Sequence, residues 1–292
     1  MMRSRLEGVI AAVPTPVGCD GQPDTERFLR HAEWALANGC DGLNVLGTTG
    51  EANSLSPAQR EAVMSVAASK LDPARLMVGT GTPDLETTIG LTRKAAEFGF
   101  AAALVLPPYY YKGVSDDGLF AWFGKVVDGT GDGTIPVYLY NFPQMTGMSF
   151  TPELAERLAN AFPDRIVGAK DSSGDLDYAA RLAAIDGFGV FPSNEAALAN
   201  ADRDGYRGCI SATVNVAPRI SAALWKEQSN ADLLRRVKDV RARISSQPLI
   251  PAVKYLTGQI HADPEFERIL PPHLELTASQ KSALTDVDLA AA

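Results

Sequence analysis

The chain is poor in the residues that metals and disulfides require. Its 292 residues include three cysteines and three histidines. Cys19, Cys40 and Cys209 are isolated and widely spaced, which fits neither a disulfide framework nor a zinc-binding pattern. His31, His261 and His273 are equally scattered, so the expectation is chemistry without a metal or cofactor. No apolar run reaches the roughly 18 residues of a membrane span, so no membrane partner is expected. Basic residues are in deficit, with 27 Lys and Arg against 35 Asp and Glu and a net charge of −8. That balance argues against a nucleic-acid surface. The stretch from Met1 to Glu7 is not followed by a signal-type apolar core and small-residue cleavage site, and the expected compartment is the cytoplasm.

What is present is ordinary for a globular protein: 46% hydrophobic and 21% charged residues. Short apolar runs alternate with helical patterns along most of the chain. The runs are Val9 to Val13, Gly42 to Leu46, Leu76 to Gly79, Ala102 to Leu106, Pro136 to Tyr140, Ile166 to Lys170, Gly189 to Phe191 and Gly208 to Ala212. Helical patterns follow at Arg27 to Ala37, after Ser56, at Leu85 to Glu97, Leu119 to Val127, after Thr151, at Leu176 to Ile185 and at Ala196 to Asp202. Ser56-Pro57-Ala58-Gln59 reads as a capping box with proline at the first helical position. Strands alternating with helices of 10–15 residues mean parallel βαβ units. Eight units over about 220 residues match a closed (β/α)8 TIM barrel better than an open sheet. The prolines after residue 247 break the tail into segments, with helices expected near Leu233 to Ile244, Pro251 to Ile260 and Ser279 to Leu289. The expected division is a barrel over residues 1–225 and a C-terminal helical extension over residues 226–292.

In such barrels the reacting groups sit at the C-terminal ends of the strands. Thr15, Thr48, Thr49, Tyr110, Tyr140, Lys170 and Ile210 all fall there, on six different strands. A lysine closing an apolar strand is either a cation reaching for solvent or an amine held to attack a carbonyl. An unperturbed lysine side chain is neutral only about once in 2,500 molecules at pH 7, so the second use needs surroundings that disfavour charge. Gly47-Thr48-Thr49-Gly50 offers two hydroxyls and several backbone N–H groups, a cradle for a small carboxylate or a plain turn. Tyr140 is positioned for proton transfer or for filling space. Glu51 reads as a solvated loop residue, although bracing the threonine loop is a second use for it. Gly79-Thr80-Gly81 lacks the third glycine of a dinucleotide loop and reads as a turn.

Three stretches carry a resemblance. Gly47-Thr48-Thr49-Gly50-Glu51, Tyr140-Asn141-x-Pro143 and Gly168-x-Lys170-Asp171 resemble the signatures of the dihydrodipicolinate synthase/N-acetylneuraminate lyase family, in the right order and over nearly the whole chain. The resemblance implies a (β/α)8 barrel with a helical tail, usually a homotetramer. It implies that Lys170 condenses with the ketone of pyruvate or another 2-keto acid, that Thr48 and Thr49 bind its carboxylate, and that Tyr140 moves protons. It also implies that Tyr110 reaches into a neighbouring subunit's site, in a relay with Thr49 and Tyr140, and that the backbone at Ile210 lies near the keto acid.

Members that make dihydrodipicolinate carry an arginine two residues after the motif proline, where it grips the carboxylate of the aldehyde substrate. Here that place holds Met145, and Ala212 stands where the sialic-acid lyases have a serine. Tyr140-Asn141-Phe142-Pro143 followed by Thr146-Gly147 resembles the 2-keto-3-deoxy sugar-acid aldolases. The expected function is therefore cleavage of a compound such as 2-keto-3-deoxygluconate to pyruvate and an aldehyde. The alternatives are condensation of pyruvate with aspartate semialdehyde, or keto-acid dehydration or deamination by the same lysine.

Overall fold

The computed structural model describes residues 6–131 and 135–287. Among these are eight strands: β1 Gly8–Ala12, β2 Gly42–Val45, β3 Leu76–Gly79, β4 Ala102–Val105, β5 Val137–Asn141, β6 Ile166–Asp171, β7 Gly189–Pro192 and β8 Gly208–Ser211. All their pairings are parallel, in the order β7-β6-β5-β4-β3-β2-β1-β8. The open side is bridged where Val190 pairs with Tyr206 and Arg207 N donates to Val190 O at 2.9 Å. The architecture is the expected (β/α)8 barrel.

Every strand residue is buried, because one face lines the barrel and the other lies under helices; parallel strands therefore read as continuous apolar runs. Alternation still sorts the side chains. Ile10, Ala12, Met77, Leu104, Tyr138, Phe191 and Ile210 pack together inside. Val9, Ala11, Val45, Val78, Leu139 and Cys209 face the helices. Gly168 shows how tightly the interior is filled. A Cβ there would lie 2.1 Å from Gly189 O and 2.4 Å from the Tyr138 ring.

The helices are α1 Thr25–Ala37, α2 Pro57–Lys70, α3 Leu85–Glu97, α4 Asp116–Gly129, α5 Pro143–Thr146, α6 Pro152–Ala161, α7 Leu176–Ala183, α8 Ala201–Asp204, α9 Pro218–Lys226, α10 Ala231–Ser245, α11 Leu249–His261 and α12 Ala278–Ser282. The capping box at Ser56 is present, with Gln59 N donating to Ser56 Oγ and Ser56 N to Gln59 Oε1. Two helices go beyond the sequence reading: the single turn of α5 after the Tyr140-Asn141 motif, and α9, which Pro218 opens at the first helical position. Two others are shorter than expected. Residues Glu195–Asn200 form a 3-10 helix and only Ala201–Asp204 is α-helical. Asn194 caps Ala196 N there, and Glu195 turns inward to Ser211, Thr213 and Arg241. In the tail, α12 stops at Ser282, after which Leu284, Thr285 and Val287 bond back three residues rather than four. Leu289 lies outside the described residues, as do residues 1–5.

α10 and α11 return over the barrel. Arg241 of α10 reaches Glu195 at 2.8 Å, and α11 buries Ile250, Val253, Lys254, Leu256 and Thr257. No helix among the described residues is long and apolar enough to cross a membrane.

Candidate active site

The ladder between β5 and β6 sets two adjacent pairs side by side, Tyr140 with Lys170 and Asn141 with Asp171. Because side chains alternate, the first pair projects into the barrel and the second away from it. Lys170 is 4% exposed, and its Nζ donates to the Tyr140 hydroxyl at 3.2 Å. The amine also lies 4.4 Å from the centroid of the Tyr140 ring, which itself stacks on Phe142. The Tyr140 hydroxyl is 3.1 Å from Thr48 Oγ1. Amine, phenol and hydroxyl thus form a continuous chain from β6 through β5 to the loop after β2.

The outward pair holds that ladder in register. Asn141 Nδ2 donates to Asp171 Oδ1 at 2.7 Å, while Asn141 Oδ1 accepts from Phe150 N. Asp171 also accepts from the Ser173 hydroxyl and backbone N–H. Burial nevertheless raises its carboxyl above the ordinary carboxylate range, against the pull of these hydrogen bonds. The residues that follow Tyr140 and Lys170 in the two motifs therefore bind one another.

The loop after β2 begins and ends on left-handed backbone, at Leu46 and at Glu51, both with φ +53°. Such conformations cost about 1–2 kcal/mol for residues with a side chain and need outside support. Glu51 receives it. Its carboxylate, 1% exposed, is ion-paired with Lys254 of α11, 0% exposed, and accepts from Leu270 N at 2.9 Å. Glu51 is thus not the solvated residue the loop's polarity predicts. Desolvation pushes the Lys254 amine below the usual lysine range, opposed by Glu51. The left-handed turn at Leu46 also breaks the strand's two-residue alternation before the threonines. The hydroxyl bound to Tyr140 is consequently that of Thr48, where the sequence reading pairs Tyr140 with Thr49. Thr49 is buried within the same loop.

The remaining candidates separate. Ile210 packs inside the barrel, paired with Ile10. Thr15 is buried, and its hydroxyl has no hydrogen-bond partner. Tyr110 is 73% exposed and meets Tyr111 edge to face. Met145, on α5, is 63% exposed. Lys112, the nearby cation, donates to the carbonyls of Tyr109 and Thr146 and straps the loop after β4 onto α5.

A small cleft opens beside Thr48 and Tyr140, walled by Leu46, Leu104 and Leu106. Its other polar wall is Arg60 of α2, 3% exposed. Arg60 is absent from the sequence reading, but one signal marks it. A helix's first turns favour acidic residues, and an arginine just behind the Ser56 cap opposes the helix dipole. Among the described residues, no group of three or more His, Cys, Asp or Glu side chains is placed to hold a metal ion.

An amine in an apolar barrel, hydrogen-bonded to a phenol that is hydrogen-bonded to a second hydroxyl, is the equipment for carbonyl condensation with proton transfer. The comparisons with known proteins agree. The chain is 34% identical over 233 residues to a 4-hydroxy-tetrahydrodipicolinate synthase of Thermomicrobium roseum, covering 79% of this chain and 75% of that protein. The crystal structure of dihydrodipicolinate synthase from Agrobacterium tumefaciens superposes with a TM-score of 0.90 at 30% identity, over 97% of this chain and 100% of that one. YagE from E. coli K12, solved in complex with pyruvate, gives 0.87 at 28% identity over 96% of each chain. The model of the dihydrodipicolinate synthetase family matches residues 5–290, and the chain belongs to that family.

Proposed function

We propose that the protein is a Schiff-base enzyme in which Lys170 condenses with the keto carbon of pyruvate and the adduct adds to aspartate semialdehyde. The observation that carries the lysine's role is the hydrogen-bonded chain Lys170 Nζ, Tyr140 Oη, Thr48 Oγ1, at 3.2 and 3.1 Å. Attack by the neutral amine forms a C–N bond and places a negative charge on the former carbonyl oxygen. Tyr140 supplies a proton that makes that oxygen a hydroxyl, and a second proton, released from the former amine nitrogen and relayed through Tyr140, lets it leave as water. The iminium then draws electrons from the adjacent carbon, which loses a proton to become the nucleophile. Tyr140 and Thr48 pass protons in both directions, while the threonine loop binds the pyruvate carboxylate. Pyruvate as the first substrate is supported by the pyruvate complex of YagE. The second substrate is supported by the relatives named as 4-hydroxy-tetrahydrodipicolinate synthase. They favour this reading over the sugar-acid cleavage expected from the sequence.

One observation favours the second reading. Met145, where the resemblance calls for an arginine, cannot pair with an anion, and a neutral aldehyde such as glyceraldehyde would need no such partner. Borohydride reduction in the presence of pyruvate should fix one pyruvyl group on Lys170; a Lys170→Ala protein that still traps pyruvate rejects the mechanism. The ratio of kcat/KM for the semialdehyde condensation to that for 2-keto-3-deoxygluconate cleavage decides between the two substrates. A homotetramer belongs to the same proposal, supported by Tyr110 and Tyr111, 73% and 70% exposed at the barrel mouth. Sedimentation of the wild type and of Tyr110→Ala tests it.

A further inference from the structure

β6 breaks the alternation that its neighbour β5 keeps. On β5, Val137 and Leu139 face the helices while Tyr138 and Tyr140 lie inside the barrel. On β6, Ile166 and Ala169 face the helices and Val167 lies inside. Gly168 also faces inward, since a Cβ there would meet the Tyr138 ring at 2.4 Å. Val167 and Gly168 are thus consecutive residues on one face. The ladder shows the same step: Val137 pairs with Ile166, but Tyr138 pairs with Gly168 and Tyr140 with Lys170. Val167 is the extra residue of a β-bulge.

The bulge decides where the amine lies. A change of register by one residue sends every side chain to the opposite face. If the pairing of Val137 with Ile166 ran on unbroken, Tyr140 would stand opposite Ala169. Lys170 would then turn out of the barrel, opposite Asn141. Burial alone does not choose between the two registers, because both faces of β6 are buried. Two features beyond the bulge do choose. Gly168 leaves room for the Tyr138 ring. Asn141 and Asp171, 1% and 2% exposed, join across the ladder at 2.7 Å, and they stand opposite each other only in the shifted register. Both ends of that bond are anchored in turn, Asn141 Oδ1 by Phe150 N at 3.2 Å and Asp171 Oδ2 by the Ser173 hydroxyl at 2.8 Å.

We propose that Asn141 and Asp171 are positioning residues: by holding β6 in the register beyond the bulge, they deliver Lys170 to Tyr140. The proposal rests on the Schiff-base reading and adds to it the pair that aims the nucleophile. Both side chains point away from the barrel interior, so each acts through the strand that carries Tyr140 or Lys170.

The test compares wild type, Asp171→Leu, Asp171→Asn and the double variant Asn141→Leu/Asp171→Leu. Thermal unfolding gives the folded fraction of each, and the double variant leaves no buried polar partner stranded. The rate of pyruvate trapping at Lys170 by borohydride, per folded molecule, should fall roughly 10- to 100-fold in Asp171→Leu and in the double variant, the scale of a misplaced reacting group. The kcat should fall with it, while KM for pyruvate, set by the loop after β2, changes little. Asp171→Asn still accepts from Asn141 and should recover most of the loss. A folded double variant that traps pyruvate at the wild-type rate would overturn the proposal, as would an Asp171→Asn protein no faster than Asp171→Leu. A wild type that traps no pyruvate on Lys170 would overturn the Schiff-base reading, and the proposal with it.

Discussion

Glu51 and Lys254 form an ion pair that water does not reach, across 203 residues of sequence. One partner ends the loop that carries Thr48 and Thr49; the other belongs to α11. Removing one charge leaves the other buried and uncompensated. Lys254→Met should therefore destabilise by about 3–5 kcal/mol, and the double variant Glu51→Gln/Lys254→Met should recover a good part of that loss. Urea unfolding of wild type, both single variants and the double closes the cycle. Additive losses would mean that the pair contributes no coupling.

Thr48 and Thr49 should differ in kinetics although they are neighbours of one type. Thr48 is hydrogen-bonded to Tyr140, so Thr48→Val should lower kcat by about 10²-fold, as should Tyr140→Phe. Because the two hydroxyls act as one relay, the double variant should be little worse than either single one. Thr49→Val should act mainly on KM for pyruvate. Steady-state kinetics at saturating aldehyde separates the two effects, and a reversed pattern would restore Thr49 to the relay.

His31 gives the fold a defined response to acid. Asn215 donates its amide N–H groups to Ala12 O and Ala212 O, so its Oδ1 must accept from His31 Nε2. That leaves His31 Nδ1 as the acceptor toward His261 Nε2, a neutral arrangement. Burial holds the His31 imidazole down at about 4, against an ordinary 6.5. A depressed histidine means that the unfolded chain binds the proton first. The penalty is absent above about pH 6.5, grows as pH falls toward 4, and levels off below. Between pH 7 and pH 4.5 the wild type should lose about 2–3 kcal/mol more stability than His31→Gln. Denaturant midpoints at the two pH values provide the comparison.

Gly168→Ala should be among the most damaging single-atom additions in the chain. The new Cβ would collide with Gly189 O and the Tyr138 ring, next to the Tyr140–Lys170 pair. A loss of about 3 kcal/mol or more is expected, because backbone stands on one side and a filled barrel on the other. Differential scanning calorimetry with parallel borohydride trapping would show whether the lysine survives in place.

Much of this architecture can be read from local pattern. Strand and helix alternate with enough regularity that the barrel follows from spacing, and Lys170 and Tyr140 mark themselves as polar ends of apolar strands. Elements set by long-range partners are less legible. The 3-10 turns at Glu195 depend on Ser211, Thr213 and Arg241, none of which is local. Glu51 looks like any loop carboxylate until Lys254 is placed beside it. Which threonine meets Tyr140 turns on the left-handed backbone at Leu46, a residue type that gives no warning of it. Arg60 did leave a mark, a basic residue at the wrong end of a helix, but its burial beside the cleft depends on the fold.

The route by which the chain closes on itself has a consequence for its synthesis. β1 is made first, yet one of its two edges waits for β8, and the loop after β2 waits for Lys254 of α11. A nascent chain emerging from the ribosome therefore exposes an apolar, unpaired strand edge until about seven tenths of the protein exists. The threonine loop stays unbraced for longer still. Catalytic competence should appear late and abruptly during translation, and prematurely terminated products should be inactive and prone to associate through the open edge of β1.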